Sequence, residues 1–148
     1  MMKPRNPDYA NQVRQIFSQC AFVQDLGISL KEMGPGWCET GLKIQARHLQ
    51  QDNVVHAGVQ ATLADHTAGA AGSTLIGPDE IILTAEFKVN FLRPAHGVRL
   101  ECRAQVLKPG RRLIVAESEV FAIDDGREPV RTAKAMVTLV AVDPLSGS

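Results

Sequence analysis

Two groups of residues in the middle of the chain carry the means for carbonyl chemistry. One is a carboxylate, Asp65; the other is the triplet His56-Ala57-Gly58 nine residues upstream of it. The positions three, four and seven residues from Asp65 are Gly58, Ala61, Thr62, Ala68, Gly69 and Gly72. On a helix these put the carboxylate on a face shaped for close approach by another backbone or a ligand. No basic side chain on that face neutralises it. Glycines and a mid-helix Asp lower helix propensity, and burying an unpaired carboxylate is costly, so a compensating reason is expected. The bland alternative is an Asp bonded to Thr62 or to a partner's backbone. At the other end of the segment, the first N–H groups of a helix lack intrahelical acceptors and the dipole is positive, so Ala57 and its neighbours can polarise a carbonyl.

Spacing decides how these groups combine. Nine residues at 1.5 Å per residue separate His56 from Asp65 by about 13 Å along a helix axis, so one helix cannot bring both to one reacting carbon. Two antiparallel copies can, if their two-fold axis passes near Ala61. Residues 57, 61, 65, 68 and 72 fall on one side, within an arc of about 80°, and all but Asp65 are Ala or Gly. The spacing therefore predicts a homo-oligomer with two composite sites per dimer.

The elements that position these residues follow from periodicity. Asp8 is expected to cap a helix over about 8–22, with Val13, Ile16, Phe17 and Cys20 as its apolar stripe before Gly27. Ile28–Met33 and Trp37–Gln45 read as strands joined by Gly34-Pro35-Gly36. Residues 46–56 form a polar loop. Ala57–Ile76, small or apolar around its whole circumference, reads as a long buried helix. The period then changes to two: Ala85, Phe87, Val89 and Phe91; Val98 to Val106; Ile114 to Ala122; and Ala133 to Leu139 read as four strands of an antiparallel meander. The chain ends, up to Pro7 and after Asp143, are expected to fray. Trp37, Phe87 and Phe91 read as core. His66, about 100° around the helix from Asp65, reads as a satisfied core or interface histidine. One curved antiparallel sheet with the long helix on its concave face buries every apolar surface named, an α+β single domain over 1–148 with no internal repeat. The polar faces of 86–90 and 99–105 leave dimer or tetramer open.

Composition narrows the function classes. In 148 residues, 45% are hydrophobic and 22% charged, which suits one soluble core. Sixteen basic and sixteen acidic residues cancel, so no field draws the chain to nucleic acid or anionic lipid. No apolar run approaches 18 residues, and Met1–Pro7 precedes no signal-like segment, so neither a membrane span nor secretion is expected. Cys20, Cys38 and Cys102 are odd in number and show no ligand spacing. They point to a reducing, cytoplasmic setting without a disulfide framework or a metal.

The segment H-A-G-V-Q-A-T-L-A-D, His56 to Asp65, set between a polar loop and four strands, resembles the hotdog-fold acyl-CoA thioesterases of the phenylacetate-degradation type, in the 4-hydroxybenzoyl-CoA thioesterase superfamily. The resemblance covers roughly residues 25–141. That family carries an Asn, a short gap, His-Gly-Gly, and an Asp nine residues after the His. Here the His, the second Gly (Gly58) and the Asp match; Gln50 stands in place of the Asn, with Asn53 as a substitute, and Ala57 replaces the first Gly, keeping its N–H. The resemblance implies an acyl-CoA thioesterase acting on an aryl- or medium-chain acyl group without a cofactor. Asp65 is then nucleophile or general base, the Ala57 N–H aided by His56 polarises the carbonyl, and Thr84 helps to hold the attacking water. Arg111 and Arg112, with Lys108 around Pro109-Gly110, could meet the coenzyme A phosphates; solvated loop charge is the alternative. Two rival readings are a hotdog hydratase or dehydratase, whose His-Phe-Pro-Gly type loop is absent here, and a non-catalytic acyl-CoA-binding protein.

Overall fold

A computed structural model describes residues 1–144. The chain begins with two short helices, α1 (Tyr9–Gln19) and α2 (Ala21–Leu26), in place of the single helix expected over 8–22. Cys20 adopts an extended conformation between them. A continuous helix would carry its Val13–Phe17 stripe on to Gln24. The break resets the phase so that Val23 is buried instead, and the Gln24 amide donates to the Phe17 carbonyl exposed by the break. Asp8 does not cap α1 through its side chain; its backbone N–H is instead held by the Asn6 side chain. The N-terminal arm is anchored too, because Arg5 pairs with Glu80 at 2.8 Å and donates to the carbonyls of Leu75 and Arg111. Its expected fraying is therefore not found; the other end lies mostly outside the described residues.

Strands β1 (Ile28–Gly34) and β2 (Trp37–Lys43) form the first hairpin, and the loop after them contains a 3-10 turn at Ala46–His48. The long helix α3 spans Ala57–Ser73 and is followed by β3 (Ile81–Phe91), β4 (Arg99–Pro109), β5 (Leu113–Ile123) and β6 (Val130–Val142). All neighbouring strands are antiparallel, in the order β1-β2-β4-β5-β6-β3. The last four strands are therefore not a plain meander. β3 lies at the far edge beside β6, and the chain from β3 crosses to the middle of the sheet, where β4 pairs with β2. Ala95 on this crossing is fully buried and its carbonyl accepts from the Val55 N–H, which ties the crossing to the loop before α3.

Alternation in β4, β5 and β6 puts Leu100 to Val106, Ile114 to Ala122 and Ala133 to Ala141 inward as expected, but Val98, expected to begin the first series, precedes β4 and is exposed. α3 touches all six strands, so the sheet wraps it, the hotdog arrangement. Gly72 permits the closest approach, since a Cβ there would stand 2.7 Å from Cδ1 of Leu139. Ala68 and Gly72 are buried by the protomer's own sheet. Of the small-residue side expected to meet a second copy, the half that remains available is therefore Ala57, Ala61 and Asp65.

β3 departs most from expectation. Its register slips between Thr84 and Glu86, a β-bulge at Ala85. Before the bulge Ile82 and Thr84 face α3; after it Phe87, Val89 and Phe91 oppose the inward residues Val137, Ala135 and Ala133. Having no strand beyond it, β3 leaves Phe87 43% and Phe91 45% exposed, and Trp37 on β2 is 37% exposed. None of the three is the core residue that its type suggested.

Candidate active site

The residues singled out for chemistry gather in three places. Asp65, midway along α3, receives a hydrogen bond of 2.8 Å from the Thr84 hydroxyl, the contact that the bulge in β3 makes possible. Thr62 is not its partner, because the Thr62 hydroxyl bonds instead to the Gly58 carbonyl. Partial burial raises the Asp65 pKa above the usual carboxylate value, and the Thr84 bond opposes that rise. The result is a carboxylate destabilised by desolvation, fixed by one hydroxyl, with its second oxygen left for a reactant.

The second place is the start of α3. His56 is the N-cap, and its Nδ1 accepts from the Gly58 N–H at 2.8 Å. Accepting at Nδ1 places the ring proton on Nε2, which makes His56 a donor on its outer side. The N–H groups of Val59 and Gln60 bond back to the His56 carbonyl. Ala57 is left as the first helical residue whose N–H has no acceptor among the described residues. His56, Ala57 and Gly58 are all exposed. This is the free donor that an oxyanion site needs, at the positive end of a helix of 17 residues.

His48 holds this end in place, and nothing in the sequence reading singled it out. Its ring is 1% exposed; Nδ1 accepts from the Gln45 N–H, and Nε2 bonds to the Leu26 carbonyl at 2.8 Å. Its own carbonyl then receives the His56 N–H. The available signal was Gln45 followed three residues later by a polar residue, a reciprocal capping pattern. Gln50 and Asn53 belong to the same loop, but Gln50 bonds to Asp52, and Asn53 occupies a left-handed turn position, φ 60. Neither touches Asp65.

Arg111 and Arg112 form the third place, at the β4–β5 turn. The Arg111 carbonyl is tied to Arg5, and Arg5 also reaches Leu75 just beyond the C-terminal end of α3. They stand at the opposite end of the helix from His56, exposed to solvent. A groove of about 820 Å³ runs past Asp65 between α1, α3 and the start of β3, lined by Gln15, Gln19, His66, Gly69, Ser73 and Thr84 among others. Within one chain His66 is not the satisfied core histidine expected: it lines this groove, and its Nε2 is sealed from solvent without a hydrogen-bond partner. Among the described residues no cluster of His, Cys, Asp or Glu could hold a metal, and no helix is long and apolar enough to cross a membrane.

Comparison with known proteins places this geometry in a family. The family model described as thioesterase superfamily matches residues 52–128, just over half of the chain and a span holding His56, Asp65 and Thr84. A solved thioesterase family protein from Silicibacter pomeroyi is 38% identical, with a TM-score of 0.89 over 91% of this chain and 98% of that one. The 1,4-dihydroxy-2-naphthoyl-CoA hydrolase of Listeria monocytogenes is 25% identical over 66% of this chain and 79% of that protein. The PaaI protein from the phenylacetic acid degradation operon of E. coli, at 19% identity, shares the fold with a TM-score of 0.79 over 93% of this chain and 96% of that one. The chain belongs to the thioesterase superfamily, and the chemistry its fold carries is the hydrolysis of thioesters.

Proposed function

We propose that the protein hydrolyses an aryl- or medium-chain acyl-CoA to the free acid and coenzyme A, at sites each shared by two copies of the chain. The observation that carries this reading is the pairing of a desolvated Asp65, steadied by Thr84, with a free Ala57 N–H about 12 Å away along the same helix. A second copy closes that distance. β3 supports such a copy: it is an edge strand, exposed on both faces, with Leu83, Phe87 and Phe91 each more than 40% exposed. Its middle residue is Glu86, so antiparallel pairing of β3 with itself near that point keeps the whole strand in register. It also brings the α3 N-terminus of one chain toward Asp65 of the other.

In this site the thioester carbonyl oxygen accepts from the partner's Ala57 N–H, with the partner's His56 Nε2–H as a second donor. Asp65 takes a proton from water as the water oxygen attacks the carbonyl carbon, or attacks that carbon itself and is freed by water afterwards. Either route breaks the C–S bond and releases the thiolate, which takes up a proton as the free thiol of coenzyme A. Solvent 18O entering the protein in a single turnover distinguishes the second route. Arg111 and Arg112 are exposed cations suited to coenzyme A phosphates. Gln50 and Asn53 lie on the loop that precedes the donors, so the partner's Gln50 arrives with its His56 as the polar group for water or substrate, and Asn53 as a substrate contact. The free thiols of Cys38 and Cys102, both pushed up to about 12 by burial, fit a reducing cytoplasm.

The test is release of free thiol from aryl-acetyl, benzoyl, medium-chain and long-chain acyl-CoAs. Wild type turns over some member of the panel, and Asp65→Asn lowers kcat on it by a hundredfold or more while still binding it. Binding without turnover by wild type would instead favour the non-catalytic acyl-CoA-binding reading.

A further inference from the structure

His66 directly follows Asp65 and takes no part in the hydrolytic step. Its ring stands edge-on to Phe17 of α1, with centroids 4.6 Å apart and planes at 84°, and it lines the same groove as Asp65. Burial lowers its pKa to about 4, so the ring is uncharged near neutral pH and carries one N–H. The two nitrogens differ in their surroundings. Nε2 is sealed and unpartnered, whereas Nδ1 is not sealed and has no partner among the described residues. A buried N–H without an acceptor is the worse of the two defects available to Nε2, so the proton belongs on Nδ1. The groove therefore offers an N–H donor one residue past the carboxylate. Gln15, Gln19 and Ser73 also line the groove, Asp79 and Glu80 add carboxylates to it, and its floor is open at Gly69, where a Cβ would meet nothing within 4 Å.

We propose that His66 is a specificity-determining residue: its Nδ1–H donates to an oxygen on the acyl group, so that acyl thioesters bearing a hydroxyl or keto oxygen are preferred over their plain hydrocarbon counterparts. This rests on the groove beside Asp65 being the acyl site of the hydrolase. A single uncharged hydrogen bond sets the scale, roughly three- to tenfold, expressed in KM more than in kcat because the bond lies away from the reacting carbon.

The experiment uses matched pairs: phenylacetyl-CoA against its 2-, 3- and 4-hydroxy forms, and hexanoyl-CoA against its 3-hydroxy and 3-keto forms. Values of kcat and KM are measured for wild type, His66→Phe, His66→Leu and His66→Asn. Binding of the same pairs is measured calorimetrically to Asp65→Asn protein with and without each change at position 66. Wild type favours at least one oxygenated member by roughly three- to tenfold; Phe and Leu bring that ratio to about one, and Asn, whose amide N–H replaces the Nδ1 donor, retains it. Equal treatment of every pair by wild type, or a preference that survives both Phe and Leu, overturns the role given to His66 while leaving hydrolysis intact. A binding preference lost with Phe and Leu in a protein that turns over nothing upholds the role and overturns the hydrolase reading instead.

Discussion

At the scale of the residue, the site is a balance on one carboxylate. Burial lifts the Asp65 pKa and Thr84 pulls it back. The base works only when deprotonated, so activity is present above the raised pKa and lost as pH falls through it, at a pH above the ordinary Asp value of 3.8. Thr84→Val removes the opposing bond. The acid limb of kcat/KM then moves to higher pH, and the plateau falls about tenfold because the carboxylate is no longer held; an unchanged limb in a pH–rate profile would mean that Thr84 does not act on Asp65. The same pKa has a sign for stability. A carboxylate whose pKa is raised on folding loses stability to the protein as pH rises through the folded value, because the charged form is disfavoured where it is buried. Asp65→Asn should therefore melt above wild type at neutral pH, with the gap narrowing in acid.

At the scale of the element, two glycines one turn apart on α3 have opposite environments. Gly72 faces Leu139 at a distance no Cβ tolerates, and Gly69 faces open groove. Gly72→Val should cost about 1–3 kcal/mol by overpacking, measured by urea denaturation. Gly69→Ala should gain about 0.5–1 kcal/mol from helix propensity while narrowing the acyl groove. Much of this level was legible in the sequence. Alternation in β4 to β6 found the inward residues except Val98, which falls just before its strand, and the small residues of 57–73 identified a helix wrapped on most sides. The edge position of β3 was not legible, because alternation reports which face a residue takes and not which strand lies beside it. Nor was the bulge at Ala85, since Thr84 and Phe87 both face inward only after a residue is inserted between them. Asp65 and the free N–H of Ala57 were readable from type and spacing. The groove-facing role of His66 and the anchoring by His48 depend on contacts with Phe17 and Leu26, far away in sequence.

At the scale of the whole molecule, a network of ion pairs covers the outer face of the sheet. There Glu117 and Glu119 share Lys134, Glu119 also takes Arg131, Glu101 takes Lys31 and Arg99, and Glu39 takes Arg103. The β3 edge carries exposed apolar residues instead, and in the proposed site a second copy covers it. Two single changes separate the halves of the proposed site. Asp65→Asn removes the carboxylate. Ala57→Pro removes one N–H at the first helical position, where proline is well tolerated, and His56 already has the extended φ −59, ψ 137 that a following proline requires. Each variant should fold and each alone should lose about a hundredfold or more of kcat. Co-refolded in equal amounts, half of the dimers are mixed, and each mixed dimer holds one site with both parts intact. Recovery to about a quarter of the wild-type rate is the predicted result for sites that span two chains. No recovery above the separate variants, with mixed dimers shown to form, would contradict a shared site and place Asp65 and its oxyanion donor within one chain.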